Sequence, residues 1–271
     1  MATEQKAPAN PAETDEFIWL EDIYGEAPLA WVAEQNQVTS RMLATPAFAQ
    51  TQQQILDVLD STERIPTVTR YGDFLYNFWK DADHPRGLWR RTSLEQYRTA
   101  RPEWETVLDI DALGKAEGTD WVFAGAQLLY PEYERALLHL SPDGGDAVTI
   151  REFDVSAKTF VESGFVLPTA KTRITWSGHD SLLVATDFGP GTLTTSSYPR
   201  QVKRWGRGTP IESAELLFEV PIEHTMVSVG HEHAEGYERD VLVDWVDFFH
   251  RNFYLVRGGE PVRIEIPDDA T

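Results

Sequence analysis

The chain has 271 residues, no Cys, 41% hydrophobic residues and a formal charge of −20, from 44 Asp and Glu against 24 Lys and Arg. Zero Cys excludes disulfides, thiol catalysis and Cys-based zinc sites, and the acidic balance disfavours nucleic acid, whose phosphates the mean field repels. The apolar fraction is ample for a packed core, and nine Trp, nine Tyr and thirteen Phe in strand-like segments favour β architecture.

The opening stretch "MATEQKAPANPAETDEF" is polar and has no apolar h-region, so residues 1–15 are expected to be a disordered lead-in and neither a signal peptide nor an anchor. No apolar run approaches the length of a membrane span, and the expectation is a soluble, cytoplasmic chain without a membrane partner. Residues 16–65 read as a helical segment. Pro28 suits the first turn of a helix, and Leu29, Val32, Asn36, Thr39 and Leu43 trace one partly apolar face. Thr45-Pro46 announces a second helix, with Phe48, Gln52, Ile55 and Leu59 as its stripe and Val58 widening it. These helices carry too little apolar surface to stand alone.

From Pro66 the pattern changes to short strands and turns. Four groups of four strands follow. The first runs through "TVTRYGDFLYNFWKD", "GLWRRTS" and "WETVLDI"; the second through "WVFAGAQLL", "RALLHLS", "AVTIREFDV" and "TFVE". The third holds "RITWS", "SLLVATD", "RQVKRW" and "AELLFEV", and the fourth "MVSVGH", "RDVLVDWV", "NFYLVRG" and "PVRIEI". Trp121, Ile174 and Val227 recur near the starts of successive groups, and four strands per roughly 50 residues is the spacing of a β-propeller of kelch-like repeat length. The second strand of each group is apolar on both faces, as a strand packed between neighbouring blades must be. Leu137, Leu138, Leu182 and Val184 are therefore expected to be buried between blades. In "VTIREFDV" the apolar set slips from Val148 and Ile150 to Phe153 and Val155, which predicts a bulge.

Candidate chemistry is sparse. No G-x-S-x-G nucleophile elbow is present and no βα alternation could hold one. "TDFGPGTLTTSSYPR" (Thr186 to Arg200) has the glycines of a phosphate cradle but neither the helix start nor the Lys, and reads as a long hairpin loop. "HEHAE" places His231 and His233 on one strand face with His224 and Glu235 near in sequence, yet no third ligand is fixed and an inter-strand loop is the simpler reading. His139, in "ALLHL", reads as a core histidine. Arg86, Arg90, Arg91, Arg98 and Arg101 form a local basic cluster; a groove for a polyanion is the alternative to solvated outer strands and loops. No catalytic, cofactor-binding or metal-binding residue is assigned in this chain.

The ordered motifs nevertheless point to a family. "FIWLEDIYGEAPLAWVAEQN", with Trp19, Leu20, Glu21 and Asp22 and then Val32, Gln35 and Asn36, resembles the N-terminal opening of prolyl oligopeptidases. "GGDAVTIREFDVSAKTFV" is similar to the family's second-blade hairpin, and "DFGPGTLTTSSYPRQVKRWGRGT" to its third-blade loop and strand. The resemblance runs from about Asp15 to the end. It implies a mainly β fold: a short helical segment, then residues 66–271 as about four blades of a seven-bladed propeller, an open arc. It also implies that a C-terminal α/β-hydrolase domain bearing Ser, Asp and His lies outside this chain and is its partner, with peptide substrates admitted through the propeller and no cofactor. The alternative is a stand-alone four-bladed propeller that binds without catalysis.

Overall fold

The computed structural model describes residues 15–267, and the chain divides after Ser61 into two compact units. The polar lead-in, apart from Asp15, lies outside the described residues. In the first unit a 3-10 turn, Ile18–Glu21, covers most of the "WLED" motif. Helix α1, Glu26–Leu43, starts from Gly25 and has Pro28 in its first turn, where a missing N–H leaves no bond unmade. Helix α2, Pro46–Leu59, starts at the anticipated place: the Thr45 hydroxyl accepts the Phe48 N–H at 3.2 Å, and Pro46 takes the first helical position. Trp19 and Trp31 meet edge to face, with ring centroids 6.4 Å apart. Pro28 is the one buried residue of the two helices.

The second unit consists of four antiparallel sheets in chain order. Blade 1 is β1 (Thr69–Tyr71), β2 (Phe74–Trp79), β3 (Leu88–Ser93) and β4 (Glu105–Asp109), with a one-turn helix α3 (Leu94–Tyr97) after β3. Gly72-Asp73 joins β1 to β2, and Gly72 sits at φ +56°, where a side chain would be strained. Helix α4 (Ile110–Glu117) then leads to blade 2. It was not anticipated, although it has a full set of end signals: Asp109 accepts the Ala112 N–H at 2.9 Å, and Gly118 closes it in the left-handed conformation.

Blade 2 is β5 (Val122–Leu128), β6 (Arg135–Ser141), β7 (Val148–Asp154) and β8 (Thr159–Phe160), with β9 (Val166–Ala170) also paired to β7. Strand β9 was missed because Pro168 interrupts its pattern; it is tolerated on a strand at the sheet's edge. Blade 3 is β10 (Arg173–Trp176), β11 (Ser181–Ala185), β12 (Gln201–Gly206) and β13 (Glu215–Glu219). Blade 4 is β14 (Met226–Glu232), β15 (Arg239–Trp245), β16 (Arg251–Arg257) and β17 (Glu260–Arg263).

The core lies between sheets, in three clusters. Tyr76, Trp89 and Val107 of blade 1 pack on Leu138, Leu140 and Phe153 of blade 2. Leu137, Val148 and Ile150 pack on Ile174, Trp176, Leu182 and Val184 of blade 3. Leu183, Ala185 and Val202 pack on Val227 and Leu242 of blade 4. Side chains alternate across a strand, so β6 sends Leu138 and Leu140 one way and Leu137 the other, while β11 splits Leu182 and Val184 from Leu183 and Ala185. Leu137, Leu138, Leu182 and Val184 are fully buried, as the two-faced pattern required.

The same geometry corrects the expected bulge in β7. Its pairing with β6 runs from Arg135–Asp154 to Leu140–Thr149 without a break, and only the outer pairing with β9 shifts, between Val148 and Ile150. The apolar set changes phase because the strand serves two interfaces: Val148 and Ile150 face blade 3, and Phe153 and Val155 face blade 1. Glu152, on the blade 3 side, is buried as half of an ion pair and so breaks the apolar run.

Candidate functional site

Of the motifs weighed in the sequence, the Gly-Ser-Thr stretch from Thr186 to Arg200 is a hairpin loop between β11 and β12. It is tied down by its own hydroxyls: Thr194 and Ser196 both donate to the Thr225 carbonyl, and Thr192 donates to that of Gly189. His231 and His233 do share a face, with ring centroids 4.5 Å apart. Each has another occupation. The His231 Nδ1 lies 2.7 Å from Asp240, and His233 stacks on Tyr130 of blade 2 at 4.8 Å. Burial and the neighbouring His231 pull the His233 pKa below the usual histidine value. His224 is bonded to Asp244 at 2.7 Å, away from this pair's partners. Among the described residues no group of three or more His, Asp or Glu is arranged to hold a metal.

Several ion pairs of the second unit cross the seams between blades. Arg207, just past β12, reaches back to blade 2, where its Nη1 and Nη2 donate to the two oxygens of buried Glu152 at 2.8 and 3.1 Å. Glu152 also accepts the Phe165 N–H at 2.9 Å, and the guanidinium lies 4.5 Å from the Phe165 ring centroid. Arg151, on the other face of β7, donates to Glu117 at the end of α4 at 2.8 Å and covers the Phe160 ring at 3.4 Å. Between blades 3 and 4, Arg204 donates to Asp240 at 2.9 Å, and Ser177 adds a bond to the same carboxylate at 3.0 Å. Pairs that join partners 34 to 63 positions apart leave no local trace in the sequence.

A cavity lies on the blade 1 face turned away from blade 2. It measures about 750 Å³ and is lined by residues 62–66, by Trp79 and Arg90, and by the segment from Tyr97 to Trp104. Register places Asn77 opposite Arg90, on the face opposite to Tyr76 and Trp89. The Arg90 guanidinium sits between the Trp79 and Trp104 rings, 4.3 Å from each centroid, and its Nε donates to Asn77 at 2.9 Å. Among the described residues, its two terminal nitrogens have no hydrogen-bond acceptor. Asp81, which lines the same cavity, is already engaged by the Trp79 indole N–H and by His84, each at 2.9 Å. Burial between the indoles brings the Arg90 pKa down to about 10, with Arg64 adding repulsion and Asp81 opposing the fall.

The basic cluster is thus mostly committed to structure, which revises the picture of solvated outer strands. Arg90 is clamped by indoles, Arg91 pairs with Glu105 at 2.7 Å, and Arg86 pairs with Asp120. Arg98 and Arg101 are exposed.

Four sheets stacked face to face through alternating strands, with the polar locks at their seams, define part of a β-propeller. The family model described as the prolyl oligopeptidase N-terminal β-propeller domain matches residues 3–258, and the chain belongs to that family. It is 35% identical over 258 residues to an uncharacterised peptidase of Sinorhizobium fredii, covering 93% of this chain and 35% of that protein. An uncharacterised peptidase of Rickettsia prowazekii is 30% identical, with 97% of this chain and 38% of that protein covered. Among solved structures, a post-proline cleaving enzyme from Rickettsia typhi superposes with a TM-score of 0.85 at 31% identity, over 97% of this chain and 40% of that one. The chain therefore spans well under half the length of the relatives it matches.

Proposed function

We propose that this chain is the propeller portion of a prolyl-oligopeptidase-like serine endopeptidase, and that it limits which peptides reach a catalytic domain belonging to the same parent polypeptide. The observation that carries this reading is the match to the Rickettsia typhi enzyme, which takes in nearly all of this chain and 40% of that one. The sequence supports it, since it has a continuous series of blades and no nucleophile elbow. In this reading the chain's own residues do no covalent chemistry. Their work is rigidity: a gate must keep its opening fixed against folded proteins, and the partly exposed arginines that cross the seams to buried carboxylates resist splaying. Cleavage after proline, cytoplasmic location and pairing with an α/β-hydrolase domain are parts of the same proposal.

The purified 271-residue chain is expected not to hydrolyse a proline-containing peptide amide and not to react with a fluorophosphonate probe. A longer polypeptide that includes the downstream reading frame is expected to do both. Labelling of the short chain that survives stringent purification would place the nucleophile within it and overturn the reading.

A further inference from the structure

On blades 2 and 3, an arginine on or just past the third strand turns toward the preceding blade, lies on an aromatic ring and meets a carboxylate. Arg151 does so with Phe160 of its own blade and Glu117 of α4, which links blades 1 and 2, and Arg207 with Phe165 and Glu152 on the blade 2 side of its seam. Arg90 holds the corresponding place on β3 of blade 1. It too faces away from the following blade and has aromatic contact, here on both sides. Among the described residues no carboxylate is bonded to it.

We infer that Arg90 is the unfilled half of a third such lock, and that its partner is an Asp or Glu on a further blade of the parent polypeptide that packs on the open face of blade 1. This deepens the function proposed above and rests on it. Three observations argue for this occupant. The site repeats the arrangement found at two existing seams. A guanidinium held between two indoles with only its Nε bonded is matched by a bidentate acceptor. The similar proteins also carry more than half of their length outside the region this chain covers, and in a propeller the blade that precedes the first is the last. A peptide carboxylate is the competing occupant.

Arginine footprinting with phenylglyoxal, read by mass spectrometry, separates these cases when applied to the 271-residue chain and to the longer polypeptide. Arg90 is expected to react at least about tenfold more slowly in the longer polypeptide, where a bidentate partner covers it. There Arg90→Met should lower the unfolding midpoint, because it strands a buried carboxylate, and Arg90→Lys should restore part of the loss. In the 271-residue chain the same substitutions should lower the midpoint less, because only the indole contacts and the Asn77 bond are lost there. Equal reactivity of Arg90 in the two polypeptides would overturn the inference. So would an Arg90→Met loss no larger in the longer one than in the 271-residue chain, since cover by apolar surface alone predicts that result. Protection of Arg90 in both polypeptides by millimolar acetyl-Ala-Glu-Ala-amide, but not by the Gln analogue, would assign the site to peptides instead. Hydrolysis by the longer polypeptide is scored separately, so an active peptidase with a reactive Arg90 would sink the lock and leave the proposed function standing.

Discussion

His139 shows how a single side chain couples this fold to pH. It lies on β6, in register with Ile150 on one side and Gly125 on the other, and is partly buried. Burial, reinforced by the positive charge of Arg173, lowers its pKa to about 4. In the unfolded chain the imidazole titrates near 6.5. Above that value it is neutral in both states. Between about 6.5 and about 4 the unfolded chain binds a proton that the folded chain refuses, so stability falls as pH falls, and below about 4 the loss is complete. From pH 7 to pH 5 this one group should cost the fold up to about 2 kcal/mol, less whatever solvent at its exposed edge screens. Urea unfolding at the two pH values, with His139→Leu beside the parent chain, measures it. The variant should lose less stability on acidification, and parallel losses would show that His139 is not the titrating group.

At the scale of elements, the hairpin of β14 and β15 meets blade 3 through the apolar cluster around Val227 and Leu242, through the Val227 N–H to the Pro199 carbonyl, and through one buried carboxylate. Asp240 on β15 accepts from Arg204, Ser177 and, across the hairpin, is bonded to His231. Replacing it with Ala leaves the Arg204 guanidinium without that acceptor at a seam whose apolar cluster is the smallest of the three. Arg204 is 34% exposed and keeps its bond to Ser177, so the cost falls below the roughly 3–5 kcal/mol of a fully buried pair. Asp240→Ala should therefore speed amide hydrogen exchange in β14 and β15 while leaving β6 and β7 near their original protection. Uniform acceleration across all four blades would mean that the seam does not open by itself. The β7 strand makes a related point: its phase change is the signature of two packing interfaces meeting in one strand, and a sequence pattern alone reads as a bulge.

The whole molecule carries more apolar surface than its fold covers. In the first unit, Leu29, Trp31, Met42, Phe48, Ile55, Val58 and Leu59 are all exposed. Blade 1 and blade 4 each have a face with no sheet packed on it among the described residues. Surfaces of this sort drive association in an isolated chain, against the solubility that a charge of −20 favours. Light scattering with thermal unfolding should find the 271-residue chain self-associating or marginally stable. A monodisperse monomer that unfolds cooperatively at high temperature would show that these faces do not drive association.

Sequence by itself determined the succession of elements. Alternation with period two, turn residues such as Gly72-Asp73 and the Thr45-Pro46 helix start are local consequences of backbone geometry, and they gave two helices and sixteen of the seventeen strands found among the described residues. The two-faced strands β6 and β11 also disclosed in advance that sheets would pack on both of their sides. The tertiary structure alone decided the candidate site. Arg90, Arg151, Arg204 and Arg207 are indistinguishable in sequence from surface arginines, because a charge becomes a lock only when folding brings a distant carboxylate and an aromatic ring to it and removes the water between them. That selection depends on which faces meet, and the meeting of faces is a property of the packed blades rather than of any segment.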